Sequence, residues 1–147
     1  MEITEHTHID EYDALIEALR PLRERGVRLA VDDTGAGCAS LNHVLQLRPD
    51  IIKLDRTLIA GLTADRARRS LVTALVLLGL DIGATLTGEG TETLEQLDAL
   101  NTLGVEQAQG YALARPTTNR EVWAHWGRRT WQTHPLPFVG ARSPIEL

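Results

Sequence analysis

Short apolar runs alternate along this chain with longer stretches in which apolar residues recur every three or four positions. A buried parallel strand reads as a brief apolar block, whereas an amphipathic helix shows a period near 3.6, so the alternation predicts strand and helix in turn. Five blocks predict strands: Met1 to Thr4, Val27 to Val31, Ile51 to Leu54, Ala84 to Thr87 and Val105 to Ala108. Asp10 to Arg25 predicts a helix with Tyr12, Leu15, Ile16, Leu19 and Leu22 on one side; Pro21 should kink or restart it, and Gly26 should stop it. Leu41 to Leu47 leaves room for a short helix before Pro49. Thr63 or Asp65 can cap a helix running to about Leu80, and its second half is apolar nearly all round, which predicts burial on more than one side. Thr93-Leu94-Glu95-Gln96 fits a capping box for a helix ending near Leu103 with Gly104 as its stop. Thr118-Asn119-Arg120-Glu121 fits another, opening a final helix with Trp123 and Trp126 and, beyond them, Trp131. Tryptophans at this spacing predict core or subunit contact.

Each strand block ends in, or carries, polar residues. Asp32-Asp33 follow the second block and lead into Thr34-Gly35-Ala36-Gly37. Paired carboxylates before a glycine loop suit a divalent cation, because Mg²⁺ and Mn²⁺ take hard oxygen ligands and glycines let backbone and phosphate approach closely. Taken alone, the same residues read equally well as a turn with helix-capping acids. The other ends shift the balance: Glu2 and Glu5 in the first segment, Lys53 and Asp55 in the third, Glu89 after the fourth and Gln109 after the fifth. Chemistry gathered at strand carboxyl ends marks parallel α/β folds and the (β/α)₈ barrel in particular. A full barrel takes roughly 250 residues. The 147 residues and five strands here therefore predict an open sheet or part of a barrel.

Composition narrows the function. A 43% hydrophobic content suits a globular domain, and a net charge of −5 argues against non-specific nucleic-acid binding, which needs a basic stripe. An acidic chain can still take a phosphate substrate where metal ions supply positive charge. Cys38 is the only cysteine, so neither an intrachain disulfide nor a cysteine zinc cluster is available. The apolar stretch Leu71 to Leu80 is far short of the roughly 18 residues a membrane span needs, and no signal peptide opens the chain, which predicts a cytoplasmic protein with no membrane partner. His6 and His8 beside Glu5 lack the fixed spacing of metal ligands. Arg66, Arg68 and Arg69 read as a solvated helix face.

The motifs Glu2-Ile3-Thr4-Glu5, Asp32-Asp33-Thr34-Gly35-Ala36-Gly37, Ile52-Lys53-Leu54-Asp55, Gly88-Glu89-Gly90-Thr91-Glu92-Thr93 and Gln109-Gly110-Tyr111 with Arg115-Pro116 together resemble the EAL domain, in that family's order and spacing. The resemblance implies a partial (β/α)₈ TIM-type barrel and metal-dependent hydrolysis of cyclic di-GMP to the linear dinucleotide. It implies a two-metal site for Mg²⁺ or Mn²⁺, with Glu2, Asp32, Asp33 and Glu89 as metal ligands. Lys53, Glu89 and Gln109 would be catalytic, with Lys53 beside the attacking water. Glu5 would steady the glycine loop, and Asp55 and Arg115 would meet substrate.

The same resemblance implies losses. The family's Glu-Ala-Leu segment and an upstream Asn, both supplying metal ligands, belong ahead of the strand that holds Glu2. The expectation is therefore a truncated domain over residues 1–133, with a poorly ordered tail at 134–147 and no turnover by the isolated chain. A non-catalytic binding module in cyclic di-GMP signalling is the alternative, and a generic metal-dependent phosphohydrolase on a smaller α/β fold a third reading. Exposed sheet edges also predict association with another copy or a complementing chain.

Overall fold

The computed structural model describes residues 1–4, 9–35 and 38–120. Met1–Arg115 forms one compact unit. In it, strands β1 (Glu2–Ile3), β2 (Ala30–Thr34), β3 (Ile51–Leu54), β4 (Thr85–Gly88) and β5 (Gln107–Ala108) form one sheet in that order, and every pairing is parallel. Helices α1 (Tyr12–Glu24), α2 (Cys38–Leu47), α3 (Arg56–Ala60), α4 (Arg66–Ile82) and α5 (Leu94–Leu103) lie between the strands. This is the parallel β/α architecture that the alternating pattern predicts.

Successive strand residues point to opposite faces. Val31, Ile52, Leu54 and Leu86 point into the main core, where they meet Val44 of α2, Ile59 of α3, Val72 and Leu75 of α4 and Leu100 of α5. A second cluster joins Ile3, Leu19, Leu29 and Leu47, with Tyr12 and Leu15 against it, and seats α1. The alternate residues Glu2, Ala30, Ile51, Lys53, Thr87 and Gln107 line an open cleft of about 740 Å³ on the other face.

Several local expectations hold. Asp65, rather than Thr63, caps α4 by accepting from the Ala67 N–H at 2.8 Å. The Thr93/Gln96 capping box forms, and Gly104 ends α5 at φ 88°. Others change. Pro21 neither breaks nor restarts α1, which runs continuously from Tyr12 to Glu24. A proline forfeits one helical hydrogen bond, and packing of Tyr12, Leu15 and Leu19 on one side holds the helix through it. The second strand begins at Ala30 rather than Val27, so Asp32 and Asp33 lie within it. Arg68 and Arg69 are not a solvated face: Arg68 pairs with Asp65, and Arg69 donates to Leu62 O and Thr63 O at 3.3 and 3.0 Å. The second half of α4 is not buried all round, since Leu77 and Leu80 are exposed.

No helix among the described residues is long and apolar enough to cross a membrane. The expected final helix with Trp123, Trp126 and Trp131, the 133/134 boundary and the tail all lie outside the described residues.

Candidate metal centre

The site begins with an irregularity in β2. Val31 pairs with Ile52 and Thr34 with Leu54, so three β2 residues span the distance covered by two on β3. Asp33 takes up the extra residue at φ 55°, a left-handed conformation that a short polar side chain tolerates better than most. In a regular strand, adjacent carboxylates would face opposite sides of the sheet. The bulge re-aims one of them, so Asp32, Asp33 and Glu89 each offer an oxygen, all within 4.8 Å of one another.

Lys53 supplies the cation. Its ammonium lies 3.2 Å from Asp32 Oδ1 and 2.7 Å from Glu89 Oε1, and it also pairs with Glu2. Partial burial works against that ammonium, but Glu2, Glu89 and Asp32 outweigh it and raise its pKa above the ordinary 10.5. Burial also works against charge on Asp32; the Asp33 N–H, 2.9 Å from Asp32 Oδ1, and Lys53 together hold the carboxyl below 3.8. Glu89 moves the other way although Lys53 is nearer to it. Burial raises its pKa above 4.5 and the Asp32 charge adds to the rise, while Lys53 offsets only part. Three acids share one ammonium, and Glu89, which faces the Asp32 charge without a backbone donor of its own, takes a proton more readily than Asp32 does.

The loops after β4 and β5 are knitted together. Glu89 N–H donates to Leu54 O at 3.1 Å, Gln109 N–H to Gly88 O at 2.8 Å and Thr91 N–H to Gln109 O at 3.0 Å. Gly110 is required here, since a Cβ at this position would lie 2.1 Å from Thr91 O and 2.3 Å from Thr91 N. Gln109 thereby lines the same cleft as Glu2 and Lys53.

Of the residues the sequence singles out, Glu2, Asp32, Asp33, Lys53, Glu89 and Gln109 gather at this rim. Glu2 meets Lys53 but is not one of the three clustered carboxylates. Asp55 caps α3, accepting from the Thr57 N–H at 2.7 Å and from its hydroxyl. Arg115 stacks on the Tyr111 ring, 4.6 Å from its centroid. Glu5, His6 and His8 lie outside the described residues. Sequence reasoning passed over Arg28, Thr87 and Gln107, which line the cleft as well. The signal available for Thr87 and Gln107 was their spacing, two residues before Glu89 and Gln109.

Residues 1–116 match the family model described as EAL domain. Among relatives, the chain is 34% identical over 124 residues to a bifunctional diguanylate cyclase/cyclic di-GMP phosphodiesterase, MucR, of Pseudomonas aeruginosa, covering 84% of this chain and 18% of that protein. It is 35% identical over 115 residues to the cyclic di-GMP phosphodiesterase PdeB of Shewanella oneidensis, covering 78% and 13%. The chain thus spans less than a quarter of either relative's length. Among solved structures, the EAL domain of Mycobacterium smegmatis DcpA aligns with a TM-score of 0.77 at 30% identity, covering 86% of this chain and 56% of that one. Klebsiella pneumoniae BlrP1, in a manganese/cyclic di-GMP complex, aligns at 0.71 and 35%, covering 78% and 29%. These neighbours have the TIM-barrel fold, whose strand order and direction the five strands follow. The chain belongs to the EAL domain family.

Proposed function

We propose that the rim is the part of a divalent-cation-dependent cyclic di-GMP phosphodiesterase site that this chain contributes. The clustering of Asp32, Asp33 and Glu89 within 4.8 Å carries that reading, because Glu2, Asp32 and Glu89 already share a single Lys53, Asp33 adds a further carboxylate beside them, and a cation would balance the excess. The all-carboxylate donor set fits Mg²⁺ or Mn²⁺. When bound, such an ion lowers the pKa of water and offsets charge on phosphodiester oxygens.

The protein's own residues would do the rest. Asp32, Asp33 and Glu89 would supply oxygen ligands, Asp32 being held ionised by the Asp33 N–H. Lys53 would hold its ammonium toward the anionic substrate, steadied by Glu2. Gln109 would orient groups in the cleft, and Asp55 and Arg115, which follow β3 and β5, would meet the nucleotide. The chain's one Glu-Ala-Leu string, Glu17-Ala18-Leu19, does not furnish the family's upstream ligand: it lies on the outer helix α1, where Glu17 pairs with Arg20 at the surface. A polypeptide of these 147 residues is accordingly expected to bind cyclic di-GMP weakly and hydrolyse it at background rate, since catalysis needs a complete, rigid shell. Binding without turnover would make it a regulatory module.

Calorimetric titration of the chain with cyclic di-GMP in Mn²⁺ and in chelator, beside chromatography for the linear dinucleotide, tests both halves. Metal-dependent binding lost in Asp32→Asn/Asp33→Asn, with no product, is expected. Binding of equal strength in chelator and in the variant would remove the cation reading. Turnover abolished by Asp32→Asn would show that these ligands suffice.

A further inference from the structure

Arg56, the first residue of α3, is a rim side chain that the cation site does not use. Strand β3 ends at Leu54, and Asp55 fixes the start of α3 by accepting from the Thr57 N–H at 2.7 Å, so Arg56 leaves the sheet at its carboxyl end. Its stem then crosses the loop that follows Glu89. A Cβ on Gly90 would run into Arg56 Cγ and lie 2.7 Å from its Cδ, and Gly90 itself stands at φ 63°. Any other residue there would be strained and would push the arginine aside. The Glu89 N–H, donating to Leu54 O at 3.1 Å, holds that loop against the end of β3.

An exposed arginine alone needs no explanation. This one differs from Arg68, which pairs with Asp65, and from Arg69, which donates to two carbonyls. Arg56 is exposed and makes no ion pair or hydrogen bond among the described residues. Lys53, by contrast, already answers Glu2, Asp32 and Glu89. Arg56 is thus a cation next to the acid cluster whose donors are unspent, and a glycine gives its stem room.

We propose that Arg56 reads a guanine of the bound dinucleotide, its guanidinium fork donating to O6 and N7, and so sets the base preference of the site. The inference rests on the reading of the rim as a cyclic di-GMP site. In that reading the phosphodiester oxygens meet the cation held by Asp32, Asp33 and Glu89 at the strand ends. Arg56 belongs to the helix layer outside the strands, where the bases, which project outward from the sugar-phosphate ring of a cyclic dinucleotide, would arrive. A guanidinium is planar and presents parallel N–H donors, which match two acceptors side by side. Guanine offers that pair at O6 and N7. Adenine replaces O6 with an amino donor, so the same fork meets one acceptor and one donor. A good bidentate contact of this kind discriminates against the wrong base by about tenfold.

Calorimetric titration of the full chain in Mn²⁺ with cyclic di-GMP and, separately, with cyclic di-AMP is the test. The parent should prefer cyclic di-GMP. Arg56→Met keeps a stem over Gly90 and removes the fork; it should weaken cyclic di-GMP binding about tenfold and leave cyclic di-AMP binding as it was. Arg56→Lys should recover little of the loss, because an ammonium is a point charge rather than a fork. Both variants should keep the parent's gain in melting temperature with Mn²⁺, since Arg56 pairs with none of the clustered carboxylates. An undiminished preference in Arg56→Met would overturn the inference and leave the cation reading standing. So would full recovery in Arg56→Lys, or an equal loss for both dinucleotides, either of which would make Arg56 a general attraction for anions. A parent chain that binds neither dinucleotide in Mn²⁺ would remove the cyclic di-GMP reading itself, and this inference with it.

Discussion

Asp50 and Asp32 stand at opposite ends of neighbouring strands, and both carboxyls are held below the ordinary 3.8. Partial burial works against each charge, and donors outweigh it: the Leu29 N–H, Arg23 and Arg28 for Asp50, the Asp33 N–H and Lys53 for Asp32. The surroundings differ. Asp50 accepts from the Leu29 N–H at 2.7 Å and from Arg23 at 3.1 Å, so one acid answers two arginines and ties α1 to the start of β3. Asp32 shares a single Lys53 with Glu2 and Glu89 and has Asp33 beside it. A shifted pKa is common to both ends, so it does not mark function by itself. What sets the strands' carboxyl ends apart is negative charge that one Lys53 does not balance.

The largest effect should come from the packing that holds the rim together. Gly110→Ala has to drive the β5 loop away from the Thr91 backbone, which should cost about 3 kcal/mol, at the upper end for a single substitution. Urea unfolding would measure it. A variant within 0.5 kcal/mol of the parent, itself about the noise of a surface change, would show that the two loops are not locked.

Next comes a contrast of size. Asp50→Asn weakens a satisfied network and should lower stability by about 1–2 kcal/mol, discounted because the site is partly solvent-exposed. Asp32→Asn with Asp33→Asn gives up a carboxylate that the Asp33 N–H and Lys53 stabilise, but also removes one cause of the rise at Glu89, and should therefore lower metal-free stability by less than Asp50→Asn does. Unfolding of both variants in chelator reads the two losses. Losses of equal size at the two ends would erase the distinction between them.

Acidification should separate the ends more gently. Glu89 binds its proton more tightly folded than unfolded. Stability in chelator should therefore rise as pH falls from neutrality through its raised pKa, the gain being complete near the ordinary 4.5. Asp32 and Asp50, with lowered pKa values, contribute stability that is present above 3.8 and lost as pH falls through their folded values. The pH profile of the melting temperature should thus pass through a shallow maximum on the acid side. The rim variant should flatten the rise, because the Asp32 charge is one of its causes, and should keep the fall due to Asp50.

Much of this site is legible in the sequence, for a physical reason. A Lys inside Ile51-Ile52-Lys53-Leu54 is costly unless acids face it, and acids follow the neighbouring apolar blocks. The Thr93/Gln96 capping box is equally local and formed as written. Pairing decided what was missed. Val27 to Leu29 look like strand, yet Leu29 packs with Leu19 and Leu47, and the ladder begins one residue later at Ala30. The Asp32-Asp33 bulge arises from the register with β3, which no local pattern encodes. Helix α3, with five residues, is too short to show a period. The outward leucines of α4 read as core because composition does not say which side faces solvent.

The central claim is that the rim acids are a cation site rather than a polar turn. Thermal unfolding at fixed ionic strength, with and without millimolar Mn²⁺, tests it most directly, because an ion that binds only the folded state stabilises it by mass action. The parent chain should gain melting temperature with Mn²⁺, and Asp50→Asn should gain as much. Asp32→Asn/Asp33→Asn should gain almost nothing. Equal Mn²⁺ shifts in the parent and the rim variant would contradict the claim.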